Sequence, residues 1–173
     1  MSTFTPNGRK QFITEFCLKP AFVNLVLSAA AGWMVYRSTA VVPFWGEQGI
    51  AADLVITTFI VAVLTYPITR GLVRAQLRTG RLRPFTRSEL RDPLRLFPKH
   101  VLFRSLFLAL GSVLFLAAPV VLAGSLLRIE AAGFIPFLPL KAAFAAAVAA
   151  ITGPLSAVSA LVDATAEGQQ API

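Results

Sequence analysis

Asp53 and Lys141 are charged residues that stand inside long apolar stretches of this 173-residue chain, where an unpaired charge is costly. Counted from the N-terminal ends of their stretches, Asp53 lies about one helical turn in and Lys141 about two turns in. If both stretches start at the same side, the two groups lie at similar depth. They would then form a proton-linked or substrate-binding pair, or an ion pair that holds two helices together; alternatively, Lys141 extends its ammonium outward.

Further polar residues follow Asp53 along the second apolar stretch. Thr57, Thr65 and Thr69 recur at helical spacing, and Asn24 in the first stretch can face them. A polar strip of this kind is typical of a transport pathway, but threonine also hydrogen-bonds between helices or back to its own helix. The sequence therefore leaves open whether this set is a transport site or a structural contact.

Four apolar stretches position these residues, and each is about long enough to cross a bilayer as a helix. Hydrophobic residues make up 56% of the chain and charged residues only 14%, which a water-soluble fold does not tolerate. Pro119 predicts a bend in the third helix, and Pro136, Pro139 and Pro154 predict breaks in the fourth, so both helices are expected to be kinked. The sequence therefore predicts an all-α integral membrane protein with four transmembrane helices, at about residues 20–36, 50–69, 101–127 and 134–162.

A strongly basic segment separates the second and third spans. It begins with Arg70, Arg74 and Arg78, whose spacing of four predicts that the second helix continues past the membrane until Gly80. Residues 70–104 contain ten Lys and Arg against only Glu89 and Asp92. Because loops rich in Lys and Arg stay in the cytoplasm, the loop at 70–100 is predicted to be cytoplasmic. Four spans then place both termini inside, and we expect the membrane to be a bacterial inner membrane.

The predicted organisation has three parts. Residues 1–19 form an N-terminal cytoplasmic or interfacial segment, 20–162 the membrane domain and 163–173 a polar tail. Residues 28–32 also resemble the cleavage region of a signal peptide, but we expect the first span to be retained.

The basic segment also predicts contacts with lipid. Its arginines alternate with leucines, and each basic group near an anionic membrane surface contributes about 1 kcal/mol. We expect anionic headgroups to bind this segment and do not expect a nucleic-acid partner, because no recognition fold is evident. The arginines predicted to contact anionic lipid are Arg74, Arg78, Arg87, Arg91 and Arg95.

Cofactor and catalytic signals are weak. The chain has a single cysteine, Cys17, and a single histidine, His100, so zinc and redox sites built from such residues are not expected. His100 could ligate a tetrapyrrole, although no partner ligand accompanies it. Catalytic motifs for hydrolysis, phosphate binding or metalloprotease chemistry are missing from the sequence. We therefore expect neither an enzyme nor a metal or cofactor site.

Alanines on the fourth span suggest a role in assembly. Ala142, Ala146 and Ala150 form one of several rows of small residues that let helices approach closely. The rows fit a partner subunit or a second copy, or else ordinary packing within one bundle. The leading hypothesis is a non-catalytic accessory or assembly subunit of a larger membrane complex. The alternatives are a small homo-oligomeric transporter or channel that uses Asp53 and Lys141, and a lipid-modifying enzyme.

Overall fold

A computed structural model describes residues 6–79 and 101–168, with side chains at 10–79 and 101–164. These residues are mostly helical, and four of their helical stretches are long and apolar enough to cross a membrane: Lys10–Tyr36, Ile50–Arg78, Val101–Leu126 and Phe134–Ala164. We call them the first to fourth spans. The elements are α1 (Pro6–Ile13), a π-helical segment (Thr14–Leu18), α2 (Lys19–Tyr36), β1 (Val41–Pro43), α3 (Ile50–Arg78), α4 (Val101–Ser112), a second π-helical segment (Val113–Ala117), α5 (Ala118–Leu126), β2 (Ala131–Gly133) and α6 (Phe134–Gly168).

Each π-helical segment ends two residues before a proline, at Leu18 before Pro20 and at Ala117 before Pro119. Proline lacks an N–H and its ring clashes with the carbonyl four residues earlier. Lys19, which precedes Pro20, donates its N–H to the carbonyl of Thr14, and Ala118, which precedes Pro119, donates to Val113. These five-residue steps let the helix continue across each proline. The first helical stretch therefore begins well before residue 20, while bending at Pro119 stays a prediction.

The second and fourth spans extend beyond their predicted membrane segments. As the sequence predicts, α3 continues as a basic helix, here to Arg78. α6 is helical without interruption through Pro139 and Pro154, where the sequence predicted breaks. It also continues to Gly168, so the residues that follow position 162 begin as helix and not as an irregular tail.

The four spans do not pack in chain order. α6 packs between α2 and α3, and α3 packs against α4 on its other side, which gives the order first, fourth, second, third. The backbones of α2 and α3, although consecutive, approach each other at few positions at most, and so do those of α4 and α6. We call residues 6–79 the N-terminal hairpin and residues 101–168 the C-terminal hairpin. Helix packing in the described structure therefore occurs mainly between the hairpins.

A two-stranded ribbon joins the hairpins at one end, a feature that the sequence did not predict. β1 and β2 pair antiparallel, with Val42 opposite Ala132. Phe44 extends the pairing by donating its N–H to Glu130 at 2.8 Å. We call this the ribbon end. Beneath it lies an apolar cluster of Tyr36, Val42, Phe44, Ile50, Ala51, Leu54 and Phe137.

A second apolar cluster lies at the opposite end, which we call the basic end because Lys10, Arg70, Arg74 and Arg78 are there. It holds the N-terminal helical segment against α3 and α6. Its buried members are Phe16, Val73, Ala157, Ala160 and Leu161.

Small residues allow α6 to occupy its central position. Ala145, Ala149 and Ala157 are fully buried within the chain, and buried Gly153 lies against the backbone carbonyl of Phe16. A helix with neighbours on two sides needs small side chains if both are to approach closely. Most of the alanine rows thus pack inside the protein, while Ala143 and Ala147 are exposed.

We predict that Gly153→Ala destabilises the protein by about 1–3 kcal/mol, because its new methyl group would overlap the carbonyl of Phe16. Gly71→Ala, at an exposed position of α3, is the matched control, since no atom outside the local backbone of its own helix lies within 4 Å of the added Cβ. The control should be neutral or stabilising by about 0.5–1 kcal/mol. Thermal unfolding midpoints in detergent compare them, and equal midpoints would contradict the close approach.

Candidate functional site

The structure brings Asp53 and Lys141 together near the ribbon end. Asp53 lies in the first turn of α3, where the positive end of the helix dipole favours a carboxylate. Lys141 Nζ donates a hydrogen bond to Oδ1 of Asp53. Lys141 is only 4% exposed, so it does not extend into solvent. The pair therefore links the second span to the fourth.

The first span completes the surroundings of the ammonium group. Nζ of Lys141 lies 5.5 Å from the ring centre of Tyr36, within range of a cation–π interaction. Tyr36 in turn meets Phe137 edge-on at 5.4 Å between ring centres. Gly32 leaves room for the lysine stem, because a Cβ there would lie 3.3 Å from Lys141 Cδ. Three spans thus enclose one ion pair.

The polar strip after Asp53 is bonded to its own helix. Thr65 donates to the carbonyl of Val61 at 2.6 Å. Thr58, which the sequence analysis passed over and which is fully buried, donates to Leu54 at 2.8 Å, while Thr57 is half-buried. These bonds satisfy the Thr58 and Thr65 hydroxyls without any contact to Asp53.

Asn24 is likewise engaged within the first span. Its side-chain Nδ2 donates to the carbonyl of Pro20 at 2.9 Å. Of the predicted polar set, the structure therefore joins Asp53 to Lys141 and places Asn24 and Thr65 in separate, local hydrogen bonds.

A second charged contact lies towards the basic end. Arg104 of α4 forms an ion pair with Asp163 of α6 at 2.5 Å. Tyr66 of α3 donates its hydroxyl to the other oxygen of Asp163 at 2.6 Å. Arg104 also donates to the Tyr66 hydroxyl and to the carbonyl of Ser159, each at 3.3 Å. Arg104 is 4% exposed and Tyr66 fully buried, so this contact ties three spans together.

The sequence does not predict this second contact, for two reasons. In the sequence, Arg104 belongs to the basic segment at 70–104, but in the structure it lies in the first turn of α4 and faces inward. Asp163 was assigned to the tail, although it continues a helical row of α6 that starts at Lys141. Spacings of three and four residues connect the row 141, 145, 148, 152, 156, 159 and 163. That regularity predicts a shared face and was the signal available.

The predicted lipid-contacting arginines are only partly described. Arg74 is half-buried and Arg78 is exposed on the last turns of α3. Arg87, Arg91 and Arg95 lie outside the described residues, as does His100. Within residues 6–79 and 101–168, no group of three His, Cys, Asp or Glu residues could hold a metal ion.

We predict that Arg104→Met destabilises the protein by about 3–5 kcal/mol, because it leaves the Asp163 carboxylate, whose side chain is only 20% exposed, without its cation. The double variant Arg104→Met/Asp163→Leu should recover part of this loss. Lys19→Met is the control: the Lys19 side chain is 61% exposed beside Glu15, and its loss should cost at most about 1 kcal/mol. Unfolding in detergent measures all three, and similar losses for Arg104→Met and Lys19→Met would refute a structural role for Arg104.

Comparisons with known proteins supply no relative for this geometry. No protein family, no curated protein and no solved structure matches the chain.

Proposed function

We propose that this chain is an integral membrane protein that acts without catalysis as an accessory or assembly subunit of a larger membrane complex. The four apolar helical stretches support membrane embedding, together with the many large apolar side chains on their outer surfaces. Such an exposed apolar surface is unfavourable in water but suits contact with lipid or with other spans.

The two ends of the described structure support an orientation. The ribbon-end loops carry Arg37 and Arg128 balanced by Glu47 and Glu130. The chain's two tryptophans, Trp33 and Trp45, are exposed there, which suits a membrane interface. The basic end carries the arginines of α3 instead. This asymmetry favours a cytoplasmic basic end, with both termini and the loop at 70–100 on that side.

The proposal of a non-catalytic role rests on one observation: the charged side chains inside the protein are paired with each other. Lys141 is paired with Asp53, and Arg104 with Asp163. The hydroxyls of Thr58 and Thr65 are bonded to their own helix. Charged groups that pair with each other to hold helices together are poorly placed to bind a substrate or transfer a proton.

The outward face of α6 is the part of that helix left for a partner. Its exposed row is apolar, and the side chains at the centre of the row are small, because Ala143 and Ala147 lie between larger residues. A helix of a partner subunit can approach closely at such small residues. The exposed row consists of Leu140, Ala143, Ala147, Ile151 and Leu155.

The subunit proposal predicts that the tagged protein, extracted from its native membrane in mild detergent, carries other subunits at fixed stoichiometry. Ala147→Phe should abolish their retention by blocking close helix approach. Ala123→Phe, on the exposed surface of the third span, is the matched control and should retain them. Mass spectrometry of the purified particles measures the composition. A particle that contains only this chain would contradict the proposal.

Transport by a small homo-oligomer is the second candidate, and one observation favours it. The second carboxylate oxygen of Asp53, Oδ2, is buried and accepts no hydrogen bond of normal geometry among the described residues, although the hydroxyl of Tyr36 lies near this carboxylate. It could accept a proton at a site enclosed by three spans.

This alternative predicts proton flux into proteoliposomes, followed with an internal pH-sensitive dye, that exceeds the flux into protein-free vesicles. Asp53→Asn should abolish the excess, because the amide cannot take up the proton. Glu47→Gln at the exposed ribbon end is the control and should keep it. Flux that survives Asp53→Asn would exclude this form of transport.

A further inference from the structure

Most of the contacts that hold this protein together lie between its hairpins. The interfaces of α6 with α2, of α6 with α3 and of α3 with α4 all join the N-terminal to the C-terminal hairpin. So do the β1–β2 ribbon, the Asp53–Lys141 pair and the bond from Tyr66 to Asp163. The spans within each hairpin meet at fewer places, chiefly where Arg104 pairs with Asp163 and where Phe16 and Val73 share one apolar cluster. A single hairpin is thus one half of an interface.

The arrangement of the hairpins has approximate two-fold character. Each hairpin places its second helix, α3 or α6, in the centre and its first span on the outside. The ribbon adds one antiparallel strand from each hairpin. Exchanging the two hairpins therefore leaves the order of the spans unchanged. By shape alone, two N-terminal hairpins, or two C-terminal hairpins, would pack against each other in a similar way.

Charge distinguishes the correct pairing from the incorrect ones. Asp53 lies near the ribbon end of α3, and Lys141 lies near the ribbon end of α6. A pairing of two N-terminal hairpins in this arrangement would bring two Asp53 carboxylates together. A pairing of two C-terminal hairpins would bring two Lys141 ammonium groups together. Both are unfavourable at a buried site, so the ion pair selects an N-terminal with a C-terminal hairpin.

We propose that the partner hairpin can come from a second copy of this chain, which gives an exchanged dimer in which Asp53 of one copy meets Lys141 of the other. This proposal rests on the membrane embedding proposed above but not on a foreign partner subunit. The exchanged dimer forms the same contacts as the single chain, so the two forms differ mainly in effective concentration. Twenty-one residues, 80–100, connect the hairpins, and a chain of that length reaches at most about 70 Å.

Disulfide trapping on the ribbon tests the exchange without altering any charge. Val41 and Gly133 are directly opposed on the two strands. Val41 is 57% exposed, and a Cβ at Gly133 meets only Pro136, at an ordinary 3.5 Å. Their backbones lie at the separation that a disulfide requires. The background is Cys17→Ala, which removes the native thiol.

One copy carries Val41→Cys and a second, differently tagged copy carries Gly133→Cys, and the two are co-expressed in the same membrane. We expect oxidation to give a disulfide-linked dimer that contains both tags, and neither copy expressed alone should give it. A single chain with both cysteines is the control for ribbon geometry. No mixed dimer, alongside full internal cross-linking of the control, would overturn the proposal.

Charge complementation gives a second, independent readout. A copy with Asp53→Lys has two lysines at the site, and a copy with Lys141→Asp has two aspartates, so each alone should be poorly stable. Co-expressed, they can restore two Asp–Lys pairs only by exchanging hairpins. We expect a stable mixed dimer on size exclusion. If the single-chain double variant Asp53→Lys/Lys141→Asp is stable but the co-expressed copies are not, exchange does not occur. The presence or absence of foreign subunits affects only the accessory-subunit proposal.

Discussion

The close approach of α6 to two neighbours is the constraint on which the rest of the structure depends. α6 is the fourth span in the chain, but it lies between the first and second, so it separates helices that are consecutive in sequence. Small side chains make this possible, most directly at Gly153, which lies against the backbone of Phe16. Dispersion and backbone proximity replace the hydrophobic effect as the packing force when the surroundings are lipid. The alanine content of α6 is therefore explained first by its place inside the protein.

Electrostatics then determines which helices meet. A buried charge is costly unless it is paired, and each buried pair here joins elements that are distant in the sequence. Lys141 reaches Asp53 across 88 positions, and Tyr66 reaches Asp163 across 97. The two contacts lie towards opposite ends of the α3–α6 interface. They stabilise the relative depth of these helices, and they leave few polar groups in the described residues for chemistry.

Proline is accommodated in two different ways. In the first and third spans, a π-helical segment before Pro20 and Pro119 moves the hydrogen-bond register by one residue. In α6, Pro139 and Pro154 lie within uninterrupted helix. The sequence indicates where a backbone hydrogen bond is lost, but it does not indicate whether the chain compensates by a π-helical turn. The breaks predicted in the fourth span do not interrupt α6.

The sequence by itself determined the class of structure: helices that are long and apolar enough to span a membrane, their approximate limits, the basic extension of α3, and the candidate pairing of Asp53 with Lys141. These properties depend on local composition and periodicity, which a linear chain displays directly. Only the tertiary structure decided the order of the spans, the ribbon between β1 and β2, and the contact of Arg104 with Asp163 and Tyr66. Those features depend on which helix faces contact each other in the folded protein. The charge of Arg104 looks the same in a sequence whether the side chain is solvated or buried.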